Sequence, residues 1–122
     1  MRCPCLSGLR YNECCEHFHS GATALTAEAL MRSRFSAFAL GLPEYLLETW
    51  HASTRPATLE LDGNIQWYRL DILSKSSGTP HDAAGWVEFE AFYRGAQSGS
   101  QHEKSSFVRE RGRWFYVGEE AR

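Results

Sequence analysis

Cysteine is the residue type whose distribution in this chain points most directly to chemistry. All four cysteines lie within the first fifteen residues, in the pattern C-x-C-x8-C-C. They are Cys3, Cys5, Cys14 and Cys15. Four soft thiolates match the closed, tetrahedral site of structural Zn²⁺, in which no coordination position is left for water. The spacing therefore predicts one structural zinc ion, which would also stabilise a segment too short to fold alone.

The residues leave other states of these cysteines open. They could be reduced thiols, or a disulfide could join the two halves of the pattern. An iron–sulfur cluster uses the same ligands, usually at wider spacing. His17 and His19 offer imidazoles that could replace one of the two adjacent cysteines, because neighbouring side chains do not readily point the same way. Arg2 and Arg10 would offset the double negative charge of a four-thiolate site.

Three polar residues farther along the chain are candidates for a ligand pocket. Arg34 lies within an apolar helical stripe, where a buried guanidinium requires a carboxylate or an anionic ligand. Glu103 shares strand parity with Phe107 and is expected to point inward with it. We favour a buried ion pair between Arg34 and Glu103, with a pocket lined by both as the alternative. His51 would join that pocket, although a role at a helix C-terminus is the favoured interpretation.

The first elements that must position these residues are helices. Apolar residues at helical spacing begin after Thr26, which is a suitable N-cap, and Gly41 predicts the end of the helix. Pro43 opens a second, shorter helix that is expected to end near His51.

The second half of the chain alternates apolar and polar residues and is therefore expected to form strands. We predict a short edge strand at 59–61, a strand at 65–73 that carries a bulge, and another with the apolar residues of 87–93 on one face. A polar loop is expected at 95–100, His81 and His102 are expected in loops, and Arg111-Gly112 predicts a tight hairpin turn. The order predicts an α+β fold: an N-terminal zinc knuckle followed by helices packed on a curved antiparallel sheet.

Two sets of segments carry a resemblance to known families. The segment CPCLSGLRYNECC resembles the SEC-C motif, a short zinc knuckle at the C-terminus of the bacterial protein-export ATPase, with Leu6 where the motif usually has glycine. The stretches AEALMRSRFSAFALG, YLLETWHASTRP and SSFVRERGRWFYV are similar to the bacterial YchJ family, which joins this motif to a nuclear-transport-factor-like cone. The resemblance implies a knuckle at 1–21, a cone at 22–122, and the four cysteines as zinc ligands.

Composition restricts the classes of function. A formal net charge of -2 provides no basic field for strong non-specific binding to nucleic acid or anionic membranes. No apolar run approaches the ~20 residues of a membrane span, and the first residues do not resemble a secretion signal, so we expect a cytoplasmic protein. The sequence contains no nucleophilic triad, phosphate loop or His-x-x-x-His pair.

These observations favour a non-enzymatic adaptor or binding module with a protein partner. The similar motif of the export ATPase contacts a chaperone, which supports this expectation by analogy. A small enzyme or ligand-binding domain that uses a cavity in the cone is the alternative. RNA binding through the knuckle, with Arg2 and Arg10, ranks below both.

Overall fold

A computed structural model describes residues 1–119 of the chain, in which helices precede strands. After a 3₁₀ turn at Tyr11–Glu13, the helices are α1 (Cys15–His19), α2 (Ala27–Leu40) and α3 (Pro43–Glu48). The strands are β1 (Gln66–Ser77), β2 (Ala84–Arg94), β3 (Gly99–Glu110) and β4 (Arg113–Glu119). The predicted α+β fold, with helices packed on a curved antiparallel sheet, is confirmed.

Helix α2 has the predicted start and end. The Thr26 hydroxyl accepts a hydrogen bond from the Ala29 amide at 3.0 Å, which satisfies one of the free amides of the first turn. Gly41 takes the left-handed conformation (φ +73°) that ends many helices, because glycine has no Cβ to clash there. Helix α3 begins at Pro43 as predicted, but it ends at Glu48 rather than near His51.

The four strands form an antiparallel meander in the order β1-β2-β3-β4. The predicted irregularity in the first strand is present as two register shifts, between Trp67 and Arg69 and between Ile72 and Ser74. The predicted tight turn is also present, since Arg111 (φ +54°) and Gly112 (φ +78°) both adopt positive φ as a type I′ hairpin requires.

Three local expectations about the strands are wrong. Residues 59–61 form no strand, because this short segment pairs with no neighbour in the sheet. The polar loop is shorter than expected, since β3 already begins at Gly99. His102 lies within β3 rather than in a loop, and its Nε2 is 2.7 Å from a Glu88 carboxylate oxygen on β2.

The main core lies between α2 and one face of the sheet. Its buried members are Ala24, Ala27, Leu30, Met31, Phe35, Leu70, Val87, Phe89, Ala91, Phe107 and Trp114. A separate small apolar cluster surrounds the cysteines near the N-terminus. Helix α2 therefore contacts the sheet on one side and the N-terminal segment on another, and it also packs against α3. No helix within residues 1–119 is long and apolar enough to span a membrane.

Candidate metal centre and neighbouring cavity

The N-terminal segment folds into a small hairpin that brings the two halves of the cysteine pattern together. Arg2 and Arg10 form an antiparallel bridge, and the Cys3 amide donates to the Leu9 carbonyl at 2.9 Å. The Leu6 amide donates to the Cys3 carbonyl at 3.1 Å, which closes the turn after the first cysteine. Leu6 has φ +63°, the left-handed conformation that favours glycine. The position where the SEC-C motif usually has glycine is thus a position where the backbone prefers one.

The four cysteine side chains converge on one point, and we call this group the cysteine cluster. It comprises Cys3, Cys5, Cys14 and Cys15. All four Sγ atoms lie within 4.8 Å of one another, and none is in a disulfide. The Sγ atoms of Cys5 and Cys14 are 3.7 Å apart, and those of Cys14 and Cys15 are 3.9 Å apart. A regular tetrahedron with Zn–S bonds of about 2.3 Å has edges of about 3.8 Å.

The donor set of the cysteine cluster suits a soft cation. Three of its members are buried and Cys14 is partly buried, so water has little access to the sulfurs. A hydrogen bond with Cys15 lowers the pKa of Cys5 to about 4, and the same contact, with burial, raises the pKa of Cys15. The negative charge of the Cys5 thiolate therefore lies in a buried site, where a bound cation would neutralise it.

Helix α2 supplies contacts around the cysteine cluster that are not themselves ligands. The buried Ser36 hydroxyl lies 3.4 Å from Cys3 Sγ and donates to Cys15 Sγ at 3.3 Å. Arg32 donates from Nη1 to the Cys5 carbonyl at 2.8 Å. On the other side, the Ser7 hydroxyl lies 3.2 Å from Cys14 Sγ. Such contacts orient metal ligands and tune the charge on sulfur.

Neither nearby histidine belongs to the cluster. His17 is exposed. The ring of His19 lies between Tyr11 Oη, 2.6 Å from Nδ1, and the Ser33 carbonyl, 2.8 Å from Nε2. Because a carbonyl only accepts, Nε2 carries the proton and Nδ1 accepts from the phenol. His19 thus fastens α1 to α2 and is not positioned as a replacement ligand.

A cavity of about 180 Å³ lies on the opposite side of α2, between this helix and the sheet, and we call it the cone cavity. Its walls are mainly aromatic and aliphatic, with polar groups from three residues and the Tyr116 hydroxyl. They are formed by Met31, Arg34, Phe35, Phe38, Trp50, Trp67, Phe89, Ala91, Gln101, Glu103 and Tyr116. Two of the three predicted pocket residues, Arg34 and Glu103, thus line one cavity.

Arg34 and Glu103 face this cavity without a direct ion pair within residues 1–119. Arg34 Nη1 donates to the Leu46 carbonyl and to the Thr49 hydroxyl, each at 2.7 Å. Its guanidinium stacks on the Tyr116 ring, 4.5 Å from the centroid. Burial lowers the pKa of Arg34 to about 10, and electrostatic interactions with Tyr116, Tyr45 and Glu103, in that order, oppose this effect. The favoured ion pair is therefore replaced by helix-end and aromatic contacts.

Glu103 is held by neighbours on its own side of the sheet. It accepts hydrogen bonds from the Ser105 hydroxyl, from Gln101 Nε2 at 3.1 Å and from Tyr116 Oη at 3.4 Å. Burial, followed by the charge of Glu103, raises the pKa of Tyr116 to about 12. Tyr116 therefore remains a neutral hydrogen-bond donor at physiological pH.

His51, the third predicted pocket residue, lies outside the cone cavity. Its Nε2 is 3.0 Å from a Glu110 carboxylate oxygen, and its Nδ1 is 2.7 Å from the Ser53 hydroxyl. Its ring packs against Phe115, the neighbour of Tyr116 on the other face of β4. His51 comes after the end of α3, so the helix-end role is also not realised.

Sequence reasoning missed Ser36, Thr49 and Tyr116 as residues of these two sites. Ser36 is a small polar residue between Phe35 and Ala37 in α2, which is a weak signal for a buried hydrogen bond. Thr49 and Tyr116 have no comparable signal, because only the packing of α3 and β4 brings them to Arg34.

A cysteine cluster joined to helices on a curved antiparallel sheet defines the class of proteins with a SEC-C motif and an NTF2-like domain. The model of the family "YchJ, middle NTF2-like domain" matches residues 26–119. The chain is 57% identical over 116 residues to a UPF0225 protein of Corynebacterium glutamicum, which covers 94% of this chain and 93% of the relative. A UPF0225 protein of Streptomyces coelicolor is 50% identical over 116 residues, covering 94% of this chain and 91% of the relative.

Solved structures agree with this assignment. The solution structure of a SEC-C motif containing protein from Rhodopseudomonas palustris matches with a TM-score of 0.84 and 34% identity, covering 100% of this chain and 99% of the other. The crystal structure of a SEC-C motif containing protein from Psychrobacter arcticus matches with a TM-score of 0.78 and 26% identity, covering 98% of this chain and 83% of the other. The chain belongs to the YchJ family of UPF0225 proteins.

Proposed function

We propose that the chain is a zinc-binding protein in which one structural Zn²⁺ holds the N-terminal knuckle against α2. The observation that supports this is the convergence of four Sγ atoms within 4.8 Å, with separations of 3.7 Å between Cys5 and Cys14 and 3.9 Å between Cys14 and Cys15. Four thiolates leave no ligand position for water, so the ion would have a structural role and not a catalytic one.

Zinc fits better than an iron–sulfur cluster with several iron atoms. The tetrahedral edge for zinc is about 3.8 Å, which agrees with the observed separations. The sulfurs of a cluster with several iron atoms bind different metal ions and lie farther apart. The hydroxyl of Ser36, near Cys3 and Cys15, would support two of the ligands at once.

Metal analysis combined with thiol titration tests this proposal on protein purified without chelator. We expect one zinc per chain and four thiols that react only after the metal is removed. Cys5→Ser removes the most buried ligand and is expected to lower zinc content sharply, whereas Ser53→Ala, far from the cluster, leaves it unchanged. Less than about half a zinc per chain, also after incubation with added Zn²⁺, would contradict the proposal.

We also propose that the knuckle makes the chain a non-enzymatic binding module for a protein partner. Its surface exposes three large apolar residues, Met1, Leu6 and Leu9, next to the paired backbones of Arg2 and Arg10. Exposed apolar side chains beside basic ones are typical of surfaces that contact other proteins. The fixed turn of a metal knuckle would present them at little entropic cost.

Pull-down with the intact chain and with Leu6→Asn/Leu9→Ser tests the binding module. Asparagine tolerates the left-handed backbone at position 6, so the knuckle is expected to keep its fold. Leu25→Ser/Leu73→Ser is the matched control, because these leucines are at least as exposed as Leu6 and Leu9 but lie outside the knuckle. Partners lost in the first variant and kept in the control would support the proposal; identical partner sets in all three samples would refute it.

A ligand-binding role for the cone cavity is a second candidate function, and a specific observation favours it. Arg34 and Glu103 would argue against a pocket if they were sealed against each other with no space beside them. Instead they line a cavity of about 180 Å³ without touching. We propose that this cavity binds a small molecule, independently of the zinc centre.

A further inference from the structure

The polar groups that line the cone cavity differ in how many of their donor and acceptor atoms have a hydrogen-bond partner. Both oxygens of Glu103 accept hydrogen bonds, from Gln101, Ser105 and Tyr116. Arg34 is only 3% exposed, and within residues 1–119 only its Nη1 donates a hydrogen bond. Its Nε and Nη2, which carry three N–H groups, have no acceptor among the described residues. The cavity is therefore suited to a ligand that places a hydrogen-bond acceptor next to Arg34.

Burial makes this need energetically important. A buried N–H without an acceptor is destabilising, and the penalty is larger for a charged group. The low pKa of Arg34, about 10, has the same cause, since the surroundings do not fully compensate its charge. The rings of Trp50 and Tyr116 contact the guanidinium at 5.2 and 4.5 Å but accept no hydrogen bond in its plane. An anionic oxygen is the group that would satisfy the fork of Arg34.

The other residues that line the cavity determine the shape and polarity of the rest of the ligand. Phe35, Phe38, Trp67 and Phe89 offer flat, apolar surfaces, and Ala91 leaves space beside them on β2. An engineered apolar cavity of about 150 Å³ binds benzene, so about 180 Å³ accommodates one ring with a small substituent. Gln101 is exposed and also lines the cavity, which places an opening at the start of β3.

We propose that the cone cavity binds a small organic anion with a flat apolar body, whose carboxylate accepts hydrogen bonds from Nε and Nη2 of Arg34. This rests on the second candidate function, a ligand-binding cavity, and specifies its ligand class. Glu103 is a positioning residue: it orients the Tyr116 ring, which in turn stacks on Arg34.

Three probes of similar shape distinguish the ligand class from the existence of a pocket. Sodium benzoate carries the carboxylate, toluene lacks any polar group, and benzylamine carries a cation. Binding to the full chain is followed by NMR shifts of the Trp50 and Trp67 indoles and of the Met31 and Ala91 methyl groups. We expect benzoate to bind at least tenfold more tightly than toluene and benzylamine.

Variants then test the residues. Arg34→Met is expected to weaken benzoate at least tenfold while leaving toluene within about threefold of the intact chain, since only the charged hydrogen bonds are lost. Arg69→Met, an exposed arginine on β1, is the matched control and is expected to bind all probes unchanged. Glu103→Gln removes the negative charge of Glu103 from the cavity wall and is expected to tighten the binding of benzoate and weaken that of benzylamine.

The outcomes separate the proposals. If Arg34→Met fails to fold, Ala91→Leu fills the cavity from the sheet side, and loss of benzoate binding in that variant supports the site. Toluene binding as well as benzoate, or benzylamine binding more tightly, would overturn the anion class while keeping the pocket. No shift with any probe up to about 10 mM would overturn both, and would mean that water alone satisfies Arg34.

Discussion

Leu6 is a residue whose backbone conformation conflicts with its side chain. Its φ of +63° places the Cβ too close to the neighbouring carbonyl, which costs roughly 1–2 kcal/mol for a non-glycine residue. The side chain is 52% exposed, so its packing offsets little of this conformational cost. The turn from Cys3 to Leu6 is retained because the hairpin and the cysteine cluster hold the residues on both sides of it.

Replacing this residue by glycine is therefore expected to stabilise the knuckle. Leu6→Gly should increase its free energy of opening by about 1 kcal/mol, which corresponds to about fivefold slower hydrogen exchange at the Cys3 amide. Leu9→Gly is the matched control, because Leu9 is 49% exposed but has a negative φ. It should exchange faster than the unmodified chain. Equal effects of the two substitutions would show that the turn is not strained.

Ser36 gives a second prediction at the scale of single residues. Ser36→Ala removes the hydroxyl that contacts Cys3 and Cys15, and we expect zinc affinity to fall by about 10- to 100-fold, as for other groups that orient metal ligands. Competition with a chromogenic chelator measures the affinity. Ser33→Ala is the control, because Ser33 is equally buried on α2 but bonds to Leu30 and Tyr45. An unchanged affinity in Ser36→Ala would exclude this role.

Helices α1 and α2 are joined by a histidine that must remain neutral. Burial lowers the pKa of His19 below its ordinary value of 6.5, and both ring nitrogens are already engaged with the Tyr11 hydroxyl and the Ser33 carbonyl. Because the folded-state pKa is depressed, the unfolded chain binds the proton more tightly. The stabilisation is complete above pH 6.5 and is lost as the pH falls below it.

The free energy of unfolding, measured in urea between pH 5 and 7.5, should therefore decrease below pH 6.5. His19→Gln is expected to lower stability at pH 7 and to flatten this slope. His17→Gln, on the exposed side of α1, should leave the slope as it is. If the slope persists in His19→Gln, another group is responsible for the dependence on pH.

At the scale of the whole molecule, the two apolar clusters are separate, and this predicts separate stability. The cone has its own core between α2 and the sheet, whereas the knuckle has only the cysteine cluster and its immediate neighbours. Removal of zinc by a chelator is expected to expose the amides of residues 1–19 to exchange, while amides of β2 and β3 stay protected. Hydrogen exchange followed by mass spectrometry measures both regions in one sample. Simultaneous loss of protection in the sheet would show that the knuckle and the cone unfold together.

Features set by local physics were predicted from the sequence. The N-cap at Thr26, the left-handed stop at Gly41 and the turn at Arg111-Gly112 depend on the conformational preferences of one or two residues. Strand alternation identified the buried side of β2, where Val87, Phe89 and Ala91 face the core. The division of the chain at residue 21 stays a prediction.

Predictions of a very short element, or of the residue at which an element ends, were less accurate. Residues 59–61 alternate apolar and polar side chains as a strand does, but a strand also requires a hydrogen-bonding neighbour. Helix α3 ends at Glu48, and both the hydroxyl and the amide of Thr49 donate to the Tyr45 carbonyl, at 2.8 and 3.1 Å. Hydrogen bonds from a side chain to the local backbone are not visible in the apolar pattern.

The cysteine cluster is the feature that the sequence determined almost completely, since a short hairpin can bring together residues only twelve positions apart. The surroundings of Arg34 were decided by tertiary structure alone. Its position on the apolar stripe of α2, and therefore its burial, was predicted, but Thr49 and Tyr116 lie 15 and 82 positions away and meet it only when α3 and β4 have packed. The sequence therefore predicts that a buried charge needs a partner, whereas the tertiary structure determines which groups are the partners.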